Sequence, residues 1–396
     1  MSGLGDMGSR LTAVMREGER VTPLELFFDL VFVLAITQCT ALMSHNPTWE
    51  GLAQGLLVLG VVWWAWVGYA WLTSVVDPEE GAVRLVVFAA MAGLLVVSLC
   101  IPEAFDDLAL AFALAYGFVR AAHIALFVLA SPDDDALRHS VIGLALSTAV
   151  AVSLLVAASL FDGLAQGSLW ALALFLDMAG PYFIRPDGWK LVPGHFAERH
   201  GLVMIIALGE SIVAIGVGAA GVVDWGIVAA AVLGVGLTAA MWWVYFDIVA
   251  LVAGRRLGEA PAGRERNTMA RDSYSYLHLP MIAGVVLVAL GMERTIGGVD
   301  AHLRAEIAFA LLGGLAVYLL GHVAFRYRHI HTINRQRLLL AVVLLALVPV
   351  AVEVPALLSL AIANVLIWAM IVYETRSYGE GRRQVRRPAP AKGAPG

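Results

Sequence analysis

Asp29, Arg120, Asp177 and Glu210 each fall inside a long apolar run. A charge at the centre of a membrane helix costs about 2.5–3.5 kcal/mol on insertion scales, so such a group must face protein or a water-filled cavity. Arg120, Asp177 and Glu210 lie near the middle of their runs and are expected at one depth. One guanidinium with two carboxylates leaves one negative charge in excess if all are ionised. Either one acid keeps a proton or an outside cation joins the group. Both are ingredients of ion-coupled transport, and a buried structural triad would satisfy them equally.

Asp29 belongs to TPLELFFDLVFVLAITQ, residues 22–38, together with Glu25. Glu25 has a local explanation: Thr22 can cap a helix, Pro23 takes the first helical position, and Glu25 falls where a capping box places its acid. Asp29 lies four residues deeper on the face of Glu25, Phe32 and Ile36, beyond the reach of a cap. His123 follows Arg120 by three residues and Tyr116 precedes it by one turn, a polar stripe suited to a proton relay or to hydrogen-bonded packing. Asp177 comes four residues before Pro181, which removes the helical donor to the Asp177 carbonyl. That spacing fits a broken transporter helix or an ordinary proline kink. Asp247 and His278 lie closer to span ends, where interfacial solvation explains them. In GHFAERHG, residues 194–201, the histidines are five apart and diverge on a helix, unlike HExxH. Glu198, Arg199 and His200 read instead as a polar helix entrance. No metal and no cofactor is expected, and no nucleotide-binding or serine-hydrolase motif occurs.

The elements that must position these groups are membrane helices. The chain has 396 residues, 60% hydrophobic and 14% charged, with mean hydropathy +0.81, far from a soluble composition. The net charge of -5 gives no reason to expect nucleic acid as a partner. Cys39 and Cys100 both lie in apolar runs, which argues against a disulfide framework. About twelve runs are long enough to cross a bilayer, among them Leu24–Met43, Gly201–Ala219, Trp225–Val252 and Tyr276–Met292. Placing both termini in the cytoplasm puts 23 of the 26 lysines and arginines on that side. The expectation is an all-α polytopic bundle: a cytoplasmic tail (1–21), two six-helix repeats (22–190 and 191–375) and a basic, disordered tail (376–396). The tail is read as an anchor to anionic membrane lipid.

The repeat rests on four ordered matches. LFFDLVFVLAI pairs with IALGESIVAIG, aligning Asp29 with Glu210; VVWWAWVGYAW pairs with AAMWWVYFDIV; MAGLLVVSL pairs with IAGVVLVAL; and VRAAHIALF pairs with YLLGHVAFR, aligning His123 with His322. An even repeat preserves orientation, so the halves are expected to be parallel.

PLELFFDLVFVLAITQ and HFAERHGLVMIIALGESIVAIG together resemble the bacterial low temperature requirement protein A family over about residues 20–375. The motif positions Glu25, Phe28, Asp29, His195, Glu198, Arg199, Gly201 and Glu210 are all present. The resemblance implies a multi-pass protein of the bacterial inner membrane and supplies no substrate. From the residues, the expected function is a secondary transporter moving a small solute with a proton or sodium ion. Asp29, Asp177 and Glu210 would carry the ion, Arg120 would be their partner or an anion clamp, and His123 a relay. The competing reading is an intramembrane enzyme, or a sensor of lipid or envelope stress, built on the same acids. Self-association into a homo-oligomer is compatible with either.

Overall fold

The computed structural model describes residues 20–79, 81–129, 135–183, 189–221 and 223–377, and the basic tail lies outside them beyond Ser377. The described chain is helical, with no strand. In the first half run α1 (Pro23–His45), α2 (Trp49–Thr73), α3 (Gly81–Cys100), α4 (Ala109–Leu129), α5 (Asp135–Ala158) and α6 (Gly163–Phe183). In the second run α7 (Pro193–Gly218), α8 (Trp225–Phe246), a short α9 (Val249–Glu259), α10 (Arg264–Ile296), α11 (Ala305–Ile330), α12 (Arg335–Val352) and α13 (Ala356–Ser377). Eleven helices among the described residues are long and apolar enough to cross a membrane. α6 has the length as well but carries Gln166 and Asp177, which dilute its apolar character.

Two helices depart from the expected spans. The run Trp225–Val252 breaks at Asp247 and Ile248, where Ile248 takes φ -136° and ψ -37°. The short helix after the break is amphipathic: α9 buries Ala253 and Leu257 against the bundle and exposes Arg255 and Arg256. α10 starts twelve residues before Tyr276, because the polar stretch Arg264–Ser275 is helical, exposed at Arg264 and Glu265 and buried at Asn267, Ser273 and Ser275. It includes a π-helical segment, Ala270–Tyr276, and α11 contains another, Phe309–Gly313.

The neighbours recur between the halves. α1 packs on α2 and α3, α3 on α4, α4 on α5, α5 on α6, and α2 on α6. In the same order α7 packs on α8 and α10, α10 on α11, α11 on α12, α12 on α13, and α8 on α13. α1 and α7 touch along the junction of the halves, and α2 and α10 are buried along most of their length. α5 and α12 turn Ile142, Leu146 and Val150, and Leu339, Val342 and Leu345, outward, as lipid-facing helices do. Glycine sets the closest approach: a Cβ on Gly284 of α10 would lie 2.6 Å from the Gly314 carbonyl oxygen and from the Tyr318 nitrogen of α11.

Candidate functional site

The α1–α7 junction begins with two prolines at equivalent first-turn positions, Pro23 and Pro193. The capping box forms: the Thr22 side chain accepts from the Glu25 N–H at 3.4 Å, and Glu25 Oε2 accepts from the Thr22 N–H at 2.8 Å. Glu25 has a second task that sequence reasoning missed. Its Oε1 lies 2.9 Å from His195 Nε2 and 3.2 Å from an Arg199 terminal nitrogen. One turn deeper, Asp29 Oδ1 accepts from Arg199 at 2.9 Å and from Trp66 Nε1 at 2.9 Å, while Oδ2 has no hydrogen-bond partner. The Arg199 guanidinium also lies over the Trp66 ring, 5.5 Å from its centroid. Glu25 with His195 and Asp29 with Arg199 are both offset by 170 residues, so the two helices run side by side in register.

All four ionisable groups of this network are 1% exposed or less. Among these four groups two carboxylates meet one arginine, and the titratable His195 stands beside Glu25. Glu198, on the outer side of the same helix, is exposed and accepts from the Val21 N–H at 3.3 Å.

The expected meeting of Asp29, Arg120, Asp177 and Glu210 does not occur; the structure distributes them over three places. Glu210 shares the seam with Asp29 but sits eleven residues beyond Arg199 on α7, about 16 Å along a helix. There it accepts from the Thr37 hydroxyl at 2.6 Å, and Glu293 of α10 nearby accepts from Ser44 at 2.6 Å. Buried apolar side chains, among them Phe32, Ile36, Val203 and Ala207, occupy the turns between the two polar ends. Arg120 and Asp177 form their own pair between α4 and α6 at 3.0 Å, joined by Thr148 of α5 and the Tyr116 hydroxyl. Asp29 and Asp177 each meet an arginine of another helix, whereas Glu210 meets hydroxyl donors.

His123 rests against Gly68 of α2, and neither ring nitrogen makes a hydrogen bond of good geometry. Tyr69 packs between Phe28 and His123, with centroids at 4.8 and 5.3 Å, and donates to the Val119 carbonyl. Asp247 is buried where α8 ends. His278 is bonded to the Tyr245 hydroxyl at 2.9 Å and stacks on Tyr274. His200 lies 5.1 Å from it, and His322 packs on Tyr245 and Tyr318. This histidine–tyrosine core escaped the sequence reading because its members come from four helices with no common spacing. His195 and His200 point apart, the one to Glu25 and the other to the Phe196 carbonyl. Among the described residues no three His, Cys, Asp or Glu side chains converge as metal ligands.

A cavity of about 60 Å³ lies beside α2, on the side away from Asp29. Trp64, Trp71, Phe127 and Trp189 form its walls, and Arg120, His123, Asn267, Arg271 and Ser275 supply its polar edge. The π-helical segment of α10 closes it: Trp63 donates to the Ser275 carbonyl at 2.8 Å and Trp71 to the Ser275 hydroxyl at 2.9 Å. α2 therefore touches the charge network through Trp66 and the cavity through Trp64 and Trp71.

Eleven or twelve apolar helices with charges hidden in their interior define a multi-pass membrane protein. The family model of the bacterial low temperature requirement A protein matches residues 20–372, and the chain belongs to that family. It is similar to an uncharacterized protein of Rhizobium meliloti (strain 1021), 28% identical over 313 residues that cover 75% of each chain. No solved structure matches it.

Proposed function

We propose that the protein is a proton-coupled secondary transporter of the bacterial inner membrane, with both termini cytoplasmic and two parallel six-helix repeats. The repeat is supported by the recurring neighbour pairs and by the in-register α1–α7 contact. The orientation is supported by the 23 basic residues that it gathers on one side. The observation that carries the functional reading is the buried Glu25–His195–Arg199–Asp29 network: it lies between the two halves, sets two acids beside an arginine and a titratable histidine, and offers an unpartnered Asp29 oxygen. Ionisable groups buried together inside a helix bundle mark proton relays in pumps and transporters. Glu210 and Glu293, at the far end of the seam, provide the exit or entry for the proton. α2 links the network to the aromatic cavity, where the solute sits beside Arg120 and His123.

The test uses proteoliposomes with an internal pH dye and a panel of small solutes applied as gradients. The wild type should move protons in response to at least one solute, and Asp29→Asn should insert normally and move none. Solute-independent dye traces in the wild type, or undiminished proton movement in Asp29→Asn, would overturn the proposal.

A further inference from the structure

We infer that the cavity beside α2 binds a small organic monocarboxylate, an inference that rests on reading this cavity as the solute site. Its lining holds two arginines and a histidine and no acid. The two nearest carboxylates lie outside it. Asp177 approaches Arg120 from the far side, among Val61, Ala173 and Leu174, so the pair presents its guanidinium edge to the cavity. Asp272 is shared by Arg271, at 2.8 Å, and by Arg328, at 3.0 Å, which leaves that group one positive charge in surplus.

The polar atoms left over match the ligand's head. Arg120 and His123, on successive turns of α4, both line the cavity; Arg120 Nε has no hydrogen-bond partner, and the His123 ring has only the Gly68 backbone beside it. Buried polar groups rarely stay unpaired, and two neighbouring donors suit the two oxygens of a carboxylate. The rest of the wall is indole and phenyl, which fits a short apolar tail and disfavours a free phosphate, whose third and fourth oxygens would face Trp64 and Phe127. The volume sets the scale: about 60 Å³ is well under the roughly 150 Å³ of an apolar cavity that accepts benzene. The acid should have only a few carbons.

Three tryptophans in the wall supply the readout. Purified full-length protein in nanodiscs at pH 7 is titrated with butyrate, butyramide, butylamine and inorganic phosphate while tryptophan emission is followed. Butyrate should give a saturable change, with butyramide at least about tenfold weaker and butylamine and phosphate without saturable effect. His123→Leu should weaken butyrate at least about tenfold. Gly68→Ala should do the same without removing any polar atom, because its new Cβ would lie 2.8 Å from His123 Cε1 and push the ring into the cavity. If His123→Leu does not fold, Gly68→Ala decides. The inference is overturned if butyramide, butylamine or phosphate binds as tightly as butyrate, if no probe saturates, or if the folded variants bind like the wild type. Because binding is read without a gradient, butyrate that binds and is never moved would sink the transport proposal alone. Solute-driven proton movement without butyrate binding would sink this inference alone.

Discussion

Arg199 is the single cation that both Glu25 and Asp29 share, at 3.2 and 2.9 Å, and all three are essentially unexposed. Arg199→Gln keeps much of the side chain's length and removes its charge. It takes away the guanidinium that both acids share, and breaking a buried pair in this way costs about 3–5 kcal/mol. At about 1.4 kcal/mol per factor of ten, the folded-to-unfolded ratio should fall by roughly two to three and a half powers of ten. Asp29→Asn is milder, because Trp66 can still donate to the amide oxygen and Arg199 keeps Glu25; a loss of about 1 kcal/mol is expected. The double variant Arg199→Gln/Asp29→Asn removes one orphaned charge and should recover at least half of the Arg199→Gln loss. Unfolding by increasing SDS in mixed micelles, followed by circular dichroism, measures all three. Arg256→Gln is the control, since Arg256 and Glu259 are exposed and 3.7 Å apart, and it should change stability by less than about 0.5 kcal/mol. If Arg199→Gln is no worse than this control, or if the double variant loses the sum of the single losses, the reasoning about a charge-balanced network is refuted.

Glu210→Gln should insert and fold like the wild type, because the amide oxygen can still accept from Thr37, yet slow solute-driven proton movement in proteoliposomes; full flux would remove Glu210 from the proton path. Gly284→Ala should lower the SDS midpoint clearly, since its Cβ would meet backbone atoms of α11 that cannot swing aside. Gly209→Ala, with open space at its Cβ, should not. Loss of the side-chain cap in Thr22→Ala should cost about 0.5–2 kcal/mol by the same assay, and equal stability would mean that the Thr22 hydroxyl does not hold the start of α1.

The bundle itself was largely legible, because about twenty apolar residues in a row admit few alternatives and the acid at Asp29 stands out against them. The partner of Asp29 was not. Hydropathy counts Arg199 as a reason to start the helix later, at Gly201, whereas α7 begins at Pro193 and carries Arg199 inside. A hydropathy profile scores one strand of sequence and cannot register that a cation on one helix cancels acids on another. The same blindness hid the start of α10, where Asn267, Arg271 and Ser275 border the cavity. The repeat alignment matched residue types and so set Asp29 against Glu210. The helices themselves align by their proline starts, which brings Arg199 opposite Asp29. Asp177 and Arg120 each stood out as intramembrane charges, but nothing along the chain tells which opposite charge lies nearest in space.

α2 and α10, the two most enclosed of the long helices, have little contact with acyl chains. Changes in bilayer thickness act through hydrophobic mismatch on helices that touch lipid, which tilt or shift to compensate. Here that load falls on the perimeter, on α5 and α12 with their outward Leu and Ile side chains. The indoles that bridge Asp29, Ser275 and the cavity wall are mounted on a central post, and a stiffening or thinning membrane can reach them only by leaning on that outer ring.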